Sequence, residues 1–95
     1  MGKMKEAQRL VEETKQRLNN ITVIGESNGG AVKVIMNGNR VVKDININDD
    51  LININNKEEL IDLIVLATNK ALDSAENVNN SEMQSATAGL MPGLF

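Results

Sequence analysis

Ninety-five residues without cysteine, histidine, tyrosine or tryptophan, and with one phenylalanine, leave a narrow chemistry and a core built from nine isoleucines, nine leucines, eight valines and five methionines. That composition excludes disulfides, thiolate nucleophiles, cysteine or histidine metal sites, the commonest general base, and an aromatic platform for stacking single-stranded bases. The formal net charge of -3 conceals a division: residues 1–43 carry eight cations against four carboxylates, and residues 44–95 carry two against nine. A basic and an acidic element are therefore available to different faces, and a polyanion responds to the local field rather than the sum.

The first segment, residues 2–20, reads as an amphipathic helix. Met4, Ala7, Val11, Thr14, Leu18 and Ile21 recur at spacings of three and four, with Lys, Glu, Gln and Arg outside the stripe. Arg9 with Glu13 and Glu13 with Arg17 stand at i,i+4, where each pair adds a few tenths of a kcal/mol. The stripe is narrow and suits one partner helix, either from the same chain or from a second copy. The segment contains nothing like a signal peptide, and no apolar run in the chain approaches the roughly 20 residues of a membrane span. Glu6 stands where myristoylation at Gly2 requires Ser or Thr.

Three strands follow: Ile21 to Ser27, Ala31 to Asn37, and Arg40 to Ile47. In the second, Val32, Val34 and Met36 share one face while Lys33, Ile35 and Asn37 share the other. The third alternates Val41, Lys43, Ile45 and Ile47 against Val42, Asp44 and Asn46. Asn28-Gly29-Gly30 and Asn37-Gly38-Asn39 supply residues tolerant of positive φ, so the strands pair as successive antiparallel hairpins. Gly25 to Gly30 is hairpin geometry rather than a phosphate loop, lacking the Gly-Lys-Ser/Thr ending.

Residues 48–56 read as a polar connector, with Leu51, Ile52 and Ile54 as plugs over a core edge and Asp49 and Asp50 capping a helical turn. Its acidic residues do not recur at calcium-loop spacing. A long helix then opens with Asn56 and Glu59 in capping-box positions. Its apolar set is broad between Leu60 and Leu72, more than one sheet contact requires. Ile61, Val65 and Leu72 form the surplus, expected to meet a second subunit or the first helix. Asn77, Asn79 and Asn80 are expected to fray the helix. The domain is taken as residues 1–88, followed by a flexible tail, 89–95.

The segment Ile21-Thr22-Val23-Ile24-Gly25-Glu26-Ser27-Asn28-Gly29-Gly30-Ala31-Val32-Lys33-Val34-Ile35-Met36-Asn37-Gly38-Asn39, with Glu59 to Ala71 and Gly89-Leu90-Met91-Pro92-Gly93 in the same order, resembles the YbaB/EbfC family of nucleoid-associated proteins. The resemblance covers nearly the whole chain. It implies an α+β fold of order α-β-β-β-α, a three-stranded antiparallel meander between two helices, dimeric with projecting helices. It also implies a cytoplasmic, nucleoid-associated protein that binds double-stranded DNA as a homodimer, without catalytic residues, metal or cofactor.

On that reading the candidate DNA contacts are Lys3, Lys5, Arg9, Lys15 and Arg17, acting mainly on phosphates, with Lys33, Arg40 and Lys43 as secondary candidates on the sheet. The dimer-interface candidates are Met4, Ala7, Val11, Leu18, Ile61, Val65 and Leu72. The final helix departs from the family pattern: Lys70 is its one base after the opening Lys57, among Asp73, Glu76 and Glu82, and it repels DNA that lies against it. The alternative is a non-catalytic oligomeric adaptor that grips another protein through the heptad helix and the acidic C-terminal helix.

Overall fold

The structure, a computed structural model, describes residues 2–52 and 54–88, apart from the side chains of Lys3 and Ile54. Helix α1 spans Gly2–Asn19; strands β1 (Thr22–Ser27), β2 (Val32–Asn37) and β3 (Val42–Ile47) form one antiparallel sheet in the order β1-β2-β3; helix α2 runs Lys57–Ala88. This is the α-β-β-β-α meander expected from the hydrophobic periods. Residues 89–95, read from the sequence as a tail, lie outside the described residues.

Period two decides which side of the sheet is buried. Val23, Gly25 and Ser27 of β1 and Val32, Val34 and Met36 of β2 point to one face, and α2 lays Ala67, Ala71 and Ala75 across it, all three with no exposed surface. Alanines four residues apart form a smooth track along a helix, and Gly25 extends it on the strand side. A Cβ at Gly25 would collide with the carbonyl oxygen of Ala67 and the backbone nitrogen of Ala71. Leu51, Leu60, Leu63, Ile64, Leu72 and Val78 pack around this centre, and the Ser27 hydroxyl donates to the Leu63 carbonyl at 2.7 Å.

The two hairpin turns use their glycines differently. Asn28, Gly29 and Gly30 have φ of 52°, 66° and 91°, the left-handed run expected from their types. In the second turn the positive φ falls on Arg40, at 65°, not on Gly38. Gly38 is small because Leu18 leaves no room: a Cβ there would stand 2.7 Å from Leu18 Cδ2 and 3.0 Å from Leu18 O. The Gly38 N–H donates to the carbonyls of Leu18 (2.9 Å) and Ile21 (3.0 Å), and its own carbonyl accepts from Asn79 Nδ2 at 3.1 Å.

Several local expectations are corrected. Asn37 does not sit on the open face with Lys33 and Ile35; it is 3% exposed, because its Oδ1 turns into the hairpin and accepts the N–H groups of Asn39 (2.9 Å) and Val41 (3.1 Å). Replacing Asn37 with Ala strands both donors, so urea unfolding of Asn37→Ala is expected to show a loss of about 2 kcal/mol. The simple alternation of the third strand is broken by an irregularity between Ile35 and Met36, after which Met36 faces Val42 while Val34 faces Ile45 and Val32 faces Ile47. Val42, Ile45 and Ile47 therefore share the helix-facing side. The short turn at Asp49–Leu51 is capped by Asn48, whose side chain accepts the Asp50 N–H at 3.0 Å, rather than by an aspartate. Of the plugs, Leu51 packs on the core and Ile52 is 64% exposed.

The largest correction concerns the end of α2. It starts at Lys57, as expected after Asn56, but does not fray at Asn77–Asn80; it continues to Ala88. Asn79 is held by Gly38, and the last turns are supported by α1. Leu18 lies nearest Asn79 through their shared partner Gly38, whereas Val11 lines a groove with Asn80, Met83, Gln84 and Thr87. Moving backward along α1 is therefore moving forward along α2, so the two helices are antiparallel. The result is a body of sheet and helix with a two-helix arm, 61 Å long and only 21 by 17 Å across.

Candidate nucleic-acid interface

At 3.6 residues per turn, the five candidate cations of α1 do not share one face. Lys5 and Arg9, four apart, point away from the apolar stripe; Lys15 and Arg17 lie on its two flanks. Lys3 has no described side chain. The outer pair is exposed, and its surroundings are mixed. Arg9 lies 3.1 Å from Glu13 and 3.6 Å from Glu6, whereas no described carboxylate lies within ion-pair distance of Lys5. Lys15 is 3.9 Å from Glu12.

Arg17 departs from expectation. Instead of Glu13, it reaches Glu82 of α2 at 3.8 Å and donates to Thr14 Oγ1 at 3.1 Å. The Thr14 hydroxyl, fully buried in the seam, donates in turn to the Leu10 carbonyl at 2.7 Å. Arg17 thus joins the two helices of the arm, and one of the carboxylates that would oppose DNA is occupied by it. The ion pairs on this surface are solvent-exposed, so they are weak, screened, and open to exchange for a phosphate partner.

The secondary cations are dispersed. Lys33 on β2 pairs with Glu26 of β1 at 3.8 Å. Arg40 lies in the β2–β3 turn, and Lys43 is exposed on β3 beside the irregular register. Asp62, Asp73 and Glu76 are exposed along α2. Positive charge is therefore concentrated on α1 and negative charge on α2, as the two halves of the sequence indicated.

The interface candidates separate into three groups. Leu18 is removed from them: with no exposed surface, it is consumed inside the chain against Gly38. Ala7, Val11 and Leu72 are half-buried, Leu72 against the core. Met4, Ile61 and Val65 are open, at 69%, 46% and 52% exposure. Sequence reading missed Ile24, Val42, Ile45 and Leu66, all exposed. For Val42 the hidden cause is the register shift, which turns it to the helix side of the sheet beside Ile45, where both remain exposed. Among the described residues no cluster of acidic side chains could hold a metal ion, and no helix is long and apolar enough to cross a membrane.

Comparison with known proteins agrees with this architecture. A nucleoid-associated protein from Flavobacterium johnsoniae is 37% identical over 94 residues, covering 99% of this chain and 87% of its own length. Another, from Caldanaerobacter subterraneus subsp. tengcongensis, is 42% identical over 96 residues, covering 97% and 86%. The crystal structure of an uncharacterized protein from Helicobacter pylori superposes with a TM-score of 0.76 over 84% of each chain at 21% identity, a likeness of fold. The architecture defines a class of small α+β proteins in which a three-stranded antiparallel meander lies between two helices. Within it, the chain belongs to the YbaB/EbfC DNA-binding family, whose model matches residues 1–90.

Proposed function

We propose that this chain is a nucleoid-associated protein of the cytoplasm that works as a homodimer, holds double-stranded DNA through phosphate contacts, and acts by binding rather than by catalysis, without a cofactor. Family membership supplies the DNA partner. The observation that carries the finer reading is the position of Lys5 and Arg9 on the outer face of a slender arm, away from the carboxylates of the body. Ammonium and guanidinium groups so placed neutralise backbone charge without demanding a base sequence. Lys3, Lys15 and Arg17 add to the same helix, and Arg17 first has to leave Glu82.

Homodimerisation is supported by two open apolar surfaces: the Ile61–Val65 stripe of α2, with Leu72 at its edge, and Val42 with Ile45 on β3. A second copy that covers them relieves the marginal core of a 95-residue chain. The adaptor reading is not favoured, because the stripe it needs on α1 is taken up within the chain: Val11 lies beside α2, Thr14 is fully buried and Leu18 packs against the Gly38 turn.

Titration of a DNA duplex across a salt series, with wild type and Lys3→Ala/Lys5→Ala/Arg9→Ala, tests the phosphate role. Affinity is expected to fall at least tenfold at low salt, and the slope of log affinity against log salt to shrink by up to about one per cation removed. Equal binding by the two proteins, or no binding by wild type at low salt, would overturn the reading.

A further inference from the structure

The chain holds two Asn-Gly pairs, Asn28-Gly29 and Asn37-Gly38, one in each hairpin turn. In such a pair the glycine nitrogen can attack the asparagine side-chain amide, because glycine puts no Cβ in the path and leaves the backbone free to rotate. The attack needs an asparagine side chain able to turn, a Cγ open to approach, and a glycine nitrogen not held by another carbonyl. The dipeptide is the same in both turns, and its surroundings are opposite.

Asn37 is 3% exposed, and its Oδ1 accepts the N–H groups of Asn39 at 2.9 Å and Val41 at 3.1 Å, which fixes the side chain inside the hairpin. The nucleophile is held as well: the Gly38 N–H donates to the carbonyls of Leu18 and Ile21 at 2.9 and 3.0 Å. Reaction there has to wait for the turn to open, which breaks all these bonds together. Asn28 is exposed, and its side chain has no hydrogen-bond partner among the described residues. Its turn is closed from the Ala31 N–H to the Asn28 carbonyl at 3.2 Å, a bond that leaves the Gly29 N–H out. The space around it is open, since a Cβ at Gly29 would meet nothing within 4 Å.

We propose that Asn28 is a site of spontaneous deamidation and that the fold protects Asn37. The Gly29 nitrogen forms a bond to Asn28 Cγ and gives its proton to water; the Cγ–Nδ2 bond breaks, and the nitrogen leaves as ammonia with a proton from solvent. The cyclic imide then takes up one water. Opening at the Cγ–N bond leaves an aspartyl residue at position 28, and opening at the main-chain carbonyl leaves an isoaspartyl residue, whose backbone runs through the former side chain. No oxidation state changes. Either product adds a carboxylate to a turn in which Gly30 lies beside Glu26 and Lys33, where Glu26 already pairs with Lys33 at 3.8 Å. The sheet therefore becomes more acidic at this end while the cations of α1 are untouched. This assignment is independent of what the arm binds.

The wild-type chain is sufficient for the test. When the folded protein is held in mildly alkaline buffer at physiological temperature and mapped by peptide mass spectrometry, position 28 is expected to deamidate at least about tenfold faster than position 37. In urea that unfolds the chain, the two rates are expected to converge to within about threefold, because both asparagines then precede a glycine in solvated chain. The product at position 28 is expected to include the isoaspartyl form, which only the imide yields. Equal rates in the folded protein, or a faster reaction at position 37, would overturn the proposal. A gap that persists undiminished in urea would overturn it too, since neighbouring sequence rather than the fold would then set the rates. An aspartyl product alone would reject the attack by Gly29.

Discussion

Gly25→Ala is expected to lower the stability of the fold by more than about 3 kcal/mol, a large share of what a domain of this size possesses. The direction runs against backbone propensity, since alanine in a strand interior costs less conformational entropy than glycine. It follows from the approach of α2 to β1. The methyl group would be driven into the Ala67 carbonyl and the Ala71 backbone nitrogen, neither of which is the loose end of a flexible side chain. Relief requires lifting α2 off the sheet, which loosens Ala67, Ala71 and Ala75 together and strains the bond from Ser27 to Leu63. Urea midpoints of wild type, Gly25→Ala and the control Gly2→Ala, whose added methyl meets nothing within 4 Å, give the measurement. A Gly25→Ala midpoint equal to that of wild type would contradict the close contact.

Val65→Asp is expected to have the largest effect on assembly. Val65 is 52% exposed and neighbours Ile61, itself 46% exposed, one turn earlier on α2. On the surface of a monomer an aspartate there is harmless. Inside an apolar interface it is an unpaired, desolvated charge. The dimer dissociation constant should therefore rise at least a hundredfold, about 3 kcal/mol, while circular dichroism of the separated chain retains the helical signal. Sedimentation of wild type, Val65→Asp and the control Asn77→Asp, an exposed polar position off the stripe, distinguishes the outcomes. A wild-type protein that sediments as a monomer at micromolar concentration, or a Val65→Asp protein that remains a dimer, would remove the α2 stripe from the interface.

The element order was legible because each element carries its own period: three and four in α1, two in β1 and β2, and a broad apolar face in α2. What sequence reading lost depends on contacts between elements. The irregularity at Ile35 and Met36 is invisible to alternation, so Val42 was assigned to the wrong face. Asn77, Asn79 and Asn80 weaken a helix by propensity, yet the bond from Asn79 to Gly38 and the packing of α1 carry α2 eight residues beyond Asn80. Leu18 reads as one more position of a stripe open to a partner, and only the neighbouring turn shows that its place is filled.

The candidate DNA site was legible in a similar, partial way. The placement of Lys5 and Arg9 on one outer face and the pairing of Arg9 with Glu13 follow from helical spacing alone. The capture of Arg17 by Glu82 does not, since 65 residues of sequence separate partners that meet only when the helices fold against one another. Gly25 and Gly38 looked like residues chosen for turns or flexibility. Both are chosen for the absence of a side chain where another backbone or leucine arrives.

The peptide groups of Gly38 tie three elements at one point: its N–H meets the end of α1, its carbonyl meets the side chain of Asn79 on α2, and its own turn belongs to the sheet. A lever pivoting there magnifies small changes, because the cation-bearing turns lie many residues away from the pivot. A few degrees of reorientation at this joint move Lys5 and Arg9 by ångströms without altering any group that could touch DNA. In the proposed dimer the gap between two such levers is thus a property of the joint rather than of the tips, and substitutions around Gly38 would retune which duplex geometry fits while leaving every candidate phosphate contact in place.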